Sequence, residues 1–175
     1  VTLNPKNEVL PLLGSKEGIM HICMAFLNAG DQVLVPNPGY PTYRAAVTLS
    51  GGEVVDYKLK AENGFLPDFD ELEKMDLSRV KLMFANYPNM PTGTHPTKEL
   101  FEKLVDFAGR HNILLVHDNP YSFVRNNLRL SILAIPGAKD VALEMNSTSK
   151  GHSMAGWRVG VVVGRADLLS DILRF

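Results

Sequence analysis

Apolar positions gather along the chain into short runs separated by segments of a different period. Apolar, β-branched stretches occupy Gln32–Pro36, Glu53–Leu59, Lys81–Tyr87, Ile113–His117, Val141–Met145 and Val159–Val163. They lack strict alternation, which predicts strands covered on both faces. Between them the spacing becomes helical: Ile19, Ile22, Cys23 and Phe26 share one face, as do Leu100, Leu104, Phe107 and His111, in a segment opened by Thr97 as N-cap. Weaker helical patterns cover Tyr43–Leu49 and Asp68–Met75.

Strands alternating with helices predict an α/β domain with a mainly parallel sheet and right-handed crossovers. In open sheets of this kind the ligand crevice lies outside the carboxyl ends of the strands. The residues to inspect are therefore Asn37–Tyr40, Tyr87–Gly93, Asp118–Tyr121 and Ser147–Lys150.

Composition narrows the partner. The 175 residues carry a formal net charge of -1 and are 45% hydrophobic, which fits one globular domain with a substantial core. Scattered Lys and Arg argue against a nucleic-acid footprint and leave a small molecule as the expected partner. No apolar run approaches the roughly 20 residues of a membrane-spanning helix, and the start lacks the pattern of a signal peptide. The single Cys23 excludes an intramolecular disulfide and, among Ile19, Ile22 and Phe26, reads as a buried apolar residue; a reducing, cytoplasmic setting is expected. The histidines (His21, His95, His111, His117, His152) show no ligand spacing, so no metal site is expected. The chain starts at Val1 and its tail "RADLLSDILRF" ends within an amphipathic pattern, so a fragment of a longer protein is expected.

The strand-end segments are rich in chemistry. Gly14-Ser-Lys-Glu-Gly18 leads into a helix, where free backbone N–H groups and the helix dipole suit an anion; a plain helix start with Ser15 as N-cap fits the same residues. Arg158 offers a planar fork of donors for a phosphate, to which Ser147 and Ser149 add hydroxyls; a surface ion pair is its other reading. Lys150 stands in a Ser/Gly-rich turn, where partial desolvation would free its amine to attack a carbonyl; a solvated surface lysine is the alternative. Asp118 sets a carboxylate beside Tyr121, although "DNP" is also good turn chemistry. His117 is expected to face away from Asp118, because successive strand residues point to opposite faces. His152 is more readily a solvated turn residue than a member of the site.

The blocks "LGSKEGI", "NPGYPTY", "YPNMPTG", "HDNPY" and "STSKGHSMAGWRVG" occur in order over nearly the whole chain. In this the sequence resembles the large, cofactor-binding domain of fold-type I pyridoxal phosphate (PLP) enzymes, the class I and II aminotransferases, with aspartate-, alanine- or LL-diaminopimelate-type members most similar. The resemblance implies an incomplete three-layer α/β/α domain over residues 1–175, with an N-terminal segment and a C-terminal small domain missing. It implies PLP as cofactor, amino-acid and 2-oxo-acid substrates, and a homodimer for the full-length protein.

Residue by residue, the resemblance implies that Lys150 forms the internal aldimine and shuttles the substrate proton, and that Asp118 pairs with the pyridine nitrogen. It has Tyr121 donate to the cofactor's phenolic oxygen and Tyr40 stack on the ring. Ser15, Lys16 and Glu17, largely through backbone N–H groups, would bind the phosphate with Ser147, Ser149 and Arg158. One position departs from the pattern: Met90 stands where the family has an Asn that donates to the phenolic oxygen, and Met has no donor. Either Asn89 reaches that oxygen through a changed loop, or the oxygen relies on Tyr121 and the aldimine nitrogen, which would raise the aldimine pKa. A PLP-dependent C–S lyase or decarboxylase, and the aminotransferase-like effector domain of a transcription regulator, share these blocks. The isolated 175 residues are expected to bind PLP weakly at best and not to transaminate.

Overall fold

The computed structural model describes residues 1–124 and 129–175. Seven strands form one sheet: β1 (Val9–Leu12), β2 (Gln32–Asn37), β3 (Glu53–Lys58), β4 (Val80–Asn86), β5 (Leu114–Asp118), β6 (Ala142–Ser147) and β7 (Gly160–Val163). Their order is β1-β7-β6-β5-β4-β2-β3. Strands β2 to β6 run parallel to one another, whereas β7 is antiparallel to both β6 and β1. The mainly parallel sheet is thus as the sequence predicts. Strand β1 carries no readable signal: it has four residues, includes Pro11 and lies at the sheet edge, where a missing N–H costs little.

The helices are α1 (Ser15–Phe26), α2 (Pro41–Leu49), α3 (Phe69–Leu72), α4 (Lys98–His111), α5 (Ala138–Val141), α6 (Thr148–Gly151) and α7 (Ala166–Ile172). Helix α4 begins where Thr97 accepts from the Leu100 N–H at 3.1 Å and ends at Asn112 in the left-handed region, φ 53°. The segment read as a helix over Asp68–Met75 shortens to α3, with Asp68 as its cap accepting from the Glu71 N–H.

Each central strand feeds two cores. In β4, Leu82 and Phe84 pack with Ile19 and Ile22 of α1 and Tyr43 of α2, while Met83 and Ala85 pack with Leu104 and Phe107 of α4. Covering on both faces is why these strands read as continuous apolar runs. The layers are helix, sheet, helix, and the parallel strand ends at Asn86, Asp118 and Ser147 open on one side of the sheet. No helix among the described residues is long and apolar enough to cross a membrane.

Candidate active site

A cleft of about 390 Å³ lies at those strand ends. Ser15 and Lys16 of α1, Tyr40 and Tyr43 at the start of α2, and Asn86 and Met90 after β4 line one part. Asp118, Pro120 and Tyr121 after β5, then Ser147, Ser149, Lys150, Ala155 and Arg158 after β6, complete it.

Asp118 forms the floor. Its side chain is buried, and Oδ2 accepts from the Tyr43 hydroxyl at 2.8 Å, while Oδ1 is equally buried and has no hydrogen-bond partner among the described residues. Burial pushes its pKa up to about 6, against the opposing pull of the Tyr43 hydrogen bond and the neighbouring His117. Tyr43 is fixed in turn by stacking on Phe84, with ring centroids 4.7 Å apart and planes 11° from parallel. The Asn86 amide donates to the Asp118 carbonyl at 2.8 Å and accepts from the Met90 N–H at 2.7 Å, so one side chain orders both the floor and the loop beside it. Tyr121 is half-buried. Burial first, and then the charge of Asp118, raise its phenol above the ordinary value, so its O–H stays a donor near neutral pH.

The other end is built for an anion. Helix α1 starts at Gly14 with φ 89° and no side chain capping it, so the first-turn N–H groups face the cleft without an internal acceptor from a cap. A Cβ at Gly14 would collide with the Arg158 guanidinium. Gly160 serves the same junction from below, since a Cβ there would come within 2.8 Å of the Ser15 nitrogen. Arg158 sits in the left-handed region, φ 54°, and its guanidinium donates to the Leu13 carbonyl at 3.3 Å and the Ala155 carbonyl at 3.2 Å. Such a backbone in a non-glycine residue marks a held position. Ser147 caps α6 by accepting from the Ser149 N–H at 3.2 Å, and Lys150 lies in that single turn of helix. The Lys16 ammonium stands 5.8 Å from the centre of the Tyr40 ring.

The match of a single family description, aminotransferase class I and II, extends over residues 1–175. The chain belongs to this family. It is 45% identical over 174 residues to the LL-diaminopimelate aminotransferase of Aquifex aeolicus, a match covering 98% of this chain and 45% of that protein. It is 48% identical over 168 residues to LL-diaminopimelate aminotransferase 2 of Trichormus variabilis, covering 95% and 43%. The fold superposes on substrate-bound BacF from Bacillus subtilis with a TM-score of 0.95 at 41% identity, over 100% of this chain and 45% of that one. The chain therefore spans about half the length of the relatives it matches. Pyridoxal phosphate is the cofactor of the family, and the cleft fits it: an unpartnered buried carboxylate oxygen at one end, and an open helix start beside a guanidinium at the other.

Two residues named from the aminotransferase blocks do not line the cleft. The Glu17 carboxylate turns back to accept from the Leu13 N–H at 2.8 Å, leaving only its backbone in the first turn of α1. Asn89 is buried and spent on its own loop: its amide donates to the Asn86 carbonyl at 3.2 Å and accepts from the Thr92 hydroxyl at 2.8 Å. Met90, not Asn89, faces the cleft. Lys150 is exposed, so the desolvation expected for it is not supplied by the described residues; its helical turn sits on the rim. The reading of Ser15 as N-cap is also corrected, because Gly14 holds that position.

His152 lines a second cavity of about 420 Å³, where it packs against Phe123. Tyr43 and Asn86 are site residues that the sequence reading passed over. Tyr43 follows Tyr40 by three residues and so shares its helix face, which was the available signal. Asn86 stands directly opposite Asp118 in the β4–β5 register, which no sequence pattern displays. Among the described residues no group of three or more His, Cys, Asp or Glu is placed to hold a metal ion.

Proposed function

We propose that these residues form the cofactor-holding domain of a PLP-dependent aminotransferase that moves an amino group from an amino acid to a 2-oxo acid. The observation that carries this reading is the unpartnered, buried Oδ1 of Asp118 in one cleft with Lys150 and the open start of α1. When bound, PLP supplies a carbonyl for the substrate's amine and a pyridinium ring that accepts electron density as the α-proton leaves.

The chain's own residues do the rest. Asp118 Oδ1 receives the pyridinium N–H and keeps that proton in place, while Tyr43 holds Oδ2. Tyr121 donates its O–H to the phenolic oxygen, and Tyr40 covers one face of the ring. The N–H groups at Ser15, Lys16 and Glu17, the hydroxyls of Ser147 and Ser149, and the Arg158 guanidinium hold the phosphate. Lys150 Nζ would hold the carbonyl end of the cofactor, and the same amine would take the substrate's α-proton and return it.

The amino donor to test first is LL-diaminopimelate, because the relatives cited bear that name. In the same reading the full-length protein is a cytoplasmic homodimer whose second subunit completes the site. Leu13, Trp157 and Val159 support this, since they expose apolar surface next to the anion end, and Cys23 is a buried free thiol.

The test is to titrate the full-length protein with PLP and follow the absorbance of the lysine-bound cofactor, which must vanish in Lys150→Ala. Half-reactions with a panel of amino donors then follow. Release of free ammonia, or of carbon dioxide, with no amino group passed to a 2-oxo-acid acceptor would reject transamination.

A further inference from the structure

Strands β5 and β6 carry the two ends of the cofactor chemistry on neighbouring backbones. Asp118 stands opposite Met145 in the register, and the preceding pair, His117 opposite Glu144, projects from the other face of the sheet, away from the cleft. Both members of that pair are buried. No step of the proposed reaction uses them.

Glu144 gathers donors from three segments of the chain. Its Oε2 accepts from the Ser131 hydroxyl at 2.9 Å and the Ile132 N–H at 2.8 Å, and its Oε1 accepts from the Asn146 amide at 3.0 Å and the Asn119 amide at 3.4 Å. His117 Nδ1 faces Oε2 at 3.5 Å. Nε2 of the same ring donates to the Tyr87 carbonyl at 3.0 Å, since a carbonyl can only accept. The ring is wedged edge-on against Phe101 of α4 at 4.8 Å. Burial works against the charge of Glu144, yet the facing His117 ring, with the donors of Asn146 and Ser131, prevails and holds its pKa down at about 2.

The residues tied in this way are sequence neighbours of the site. Asn119 follows Asp118, Asn146 precedes Ser147, and Tyr87 opens the loop that carries Met90. A buried carboxylate bonded this completely is costly to disturb and has one stable geometry.

We infer that the Glu144–His117 pair is a positioning device: from the far face of the sheet it fixes the strand end bearing Asp118 against the one bearing Ser147 and Lys150. The two contacts made to opposite ends of one cofactor then keep a constant separation. The inference rests on the reading of Asp118 and Lys150 as cofactor ligands.

The experiment uses the full-length protein with Glu144→Gln, which keeps the shape and removes the charge. Its companion is His117→Gln, which keeps a donor for the Tyr87 carbonyl and removes the group facing Glu144. PLP affinity and the visible circular dichroism of the bound cofactor, which reports how its ring is held, are measured with the thermal midpoint. Each variant is expected to fold, to bind PLP about tenfold more weakly and to change the dichroism, with the double variant no worse than the more affected single one. Wild-type affinity and dichroism in both variants would overturn the inference, as would weaker binding that only tracks a loss of folded protein. Failure of the wild-type protein to form the Lys150-dependent absorbance would instead reject the functional reading itself.

Discussion

Tyr43 donates its hydroxyl proton to Asp118 Oδ2 across 2.8 Å, and neither group reaches solvent. The bond joins α2 to the end of β5, and it leaves Oδ1 as the free face of the carboxylate. In Tyr43→Phe the ring still stacks on Phe84, so the change isolates the hydrogen bond. The apo full-length protein is expected to lose about 1–3 kcal/mol at pH 8, where Asp118 is ionised, and less at pH 5, where the carboxyl carries a proton. Denaturant unfolding at the two pH values measures this. An equal loss at both would mean that the bond does not serve the ionised form.

Asp118 is held at about 6 against an ordinary 3.8, with burial as the main cause. A carboxyl whose folded pKa is raised binds more protons folded than unfolded between those values, so its contribution to stability is present below 3.8 and lost as pH rises through 6. The difference amounts to about 3 kcal/mol. Apo Asp118→Asn is therefore expected to be more stable than wild type above pH 6 and to gain nothing near pH 4. PLP affinity runs the other way: it should fall as pH drops through 6 in wild type, because a proton on Asp118 competes with the pyridinium N–H. Calorimetry of the apo proteins and PLP titrations across pH 5 to 8 test both limbs.

These two residues also show what a sequence discloses. Asp118 was legible because it ends a run of buried β-branched residues, and strand ends in parallel sheets are where ligands sit. Lys150 and Arg158 were legible through one motif, eight residues apart. Tyr43 was legible only as part of a helical pattern, since its role depends on which strand α2 packs against. Asn86 and Glu144 owe their roles to register, Asn86 opposite Asp118 and Glu144 opposite His117, and register is set by tertiary pairing rather than by local pattern. Asn89 stands off the cleft lining for a related reason: the sequence shows an amide near that position but not that its side chain bonds within its own loop.

Gly14→Ala tests the anion end. The backbone there, φ 89° and ψ 152°, suits glycine alone, and a methyl group would meet the Arg158 guanidinium. A stability cost of about 1–3 kcal/mol is expected. Displacing Arg158 should also weaken inorganic phosphate as a competitor of PLP. If the variant binds phosphate as wild type does, Arg158 and the α1 start are not the phosphate site.

Met90 lines the cleft with a thioether where a donor would serve the phenolic oxygen of the cofactor, and the nearby amide of Asn89 is already committed to Asn86 and Thr92. In the proposed reading Tyr121 would then be the neutral donor for that oxygen. Fewer donors leave more negative charge there, which favours a proton on the adjoining lysine-bound nitrogen. In Met90→Asn a donor returns to the cleft, and the midpoint at which the bound cofactor changes colour should move to lower pH. A spectroscopic titration of the full-length holoenzyme reads that midpoint directly. The same midpoint in wild type and Met90→Asn would show that the thioether leaves the phenolic oxygen as well served as an amide does.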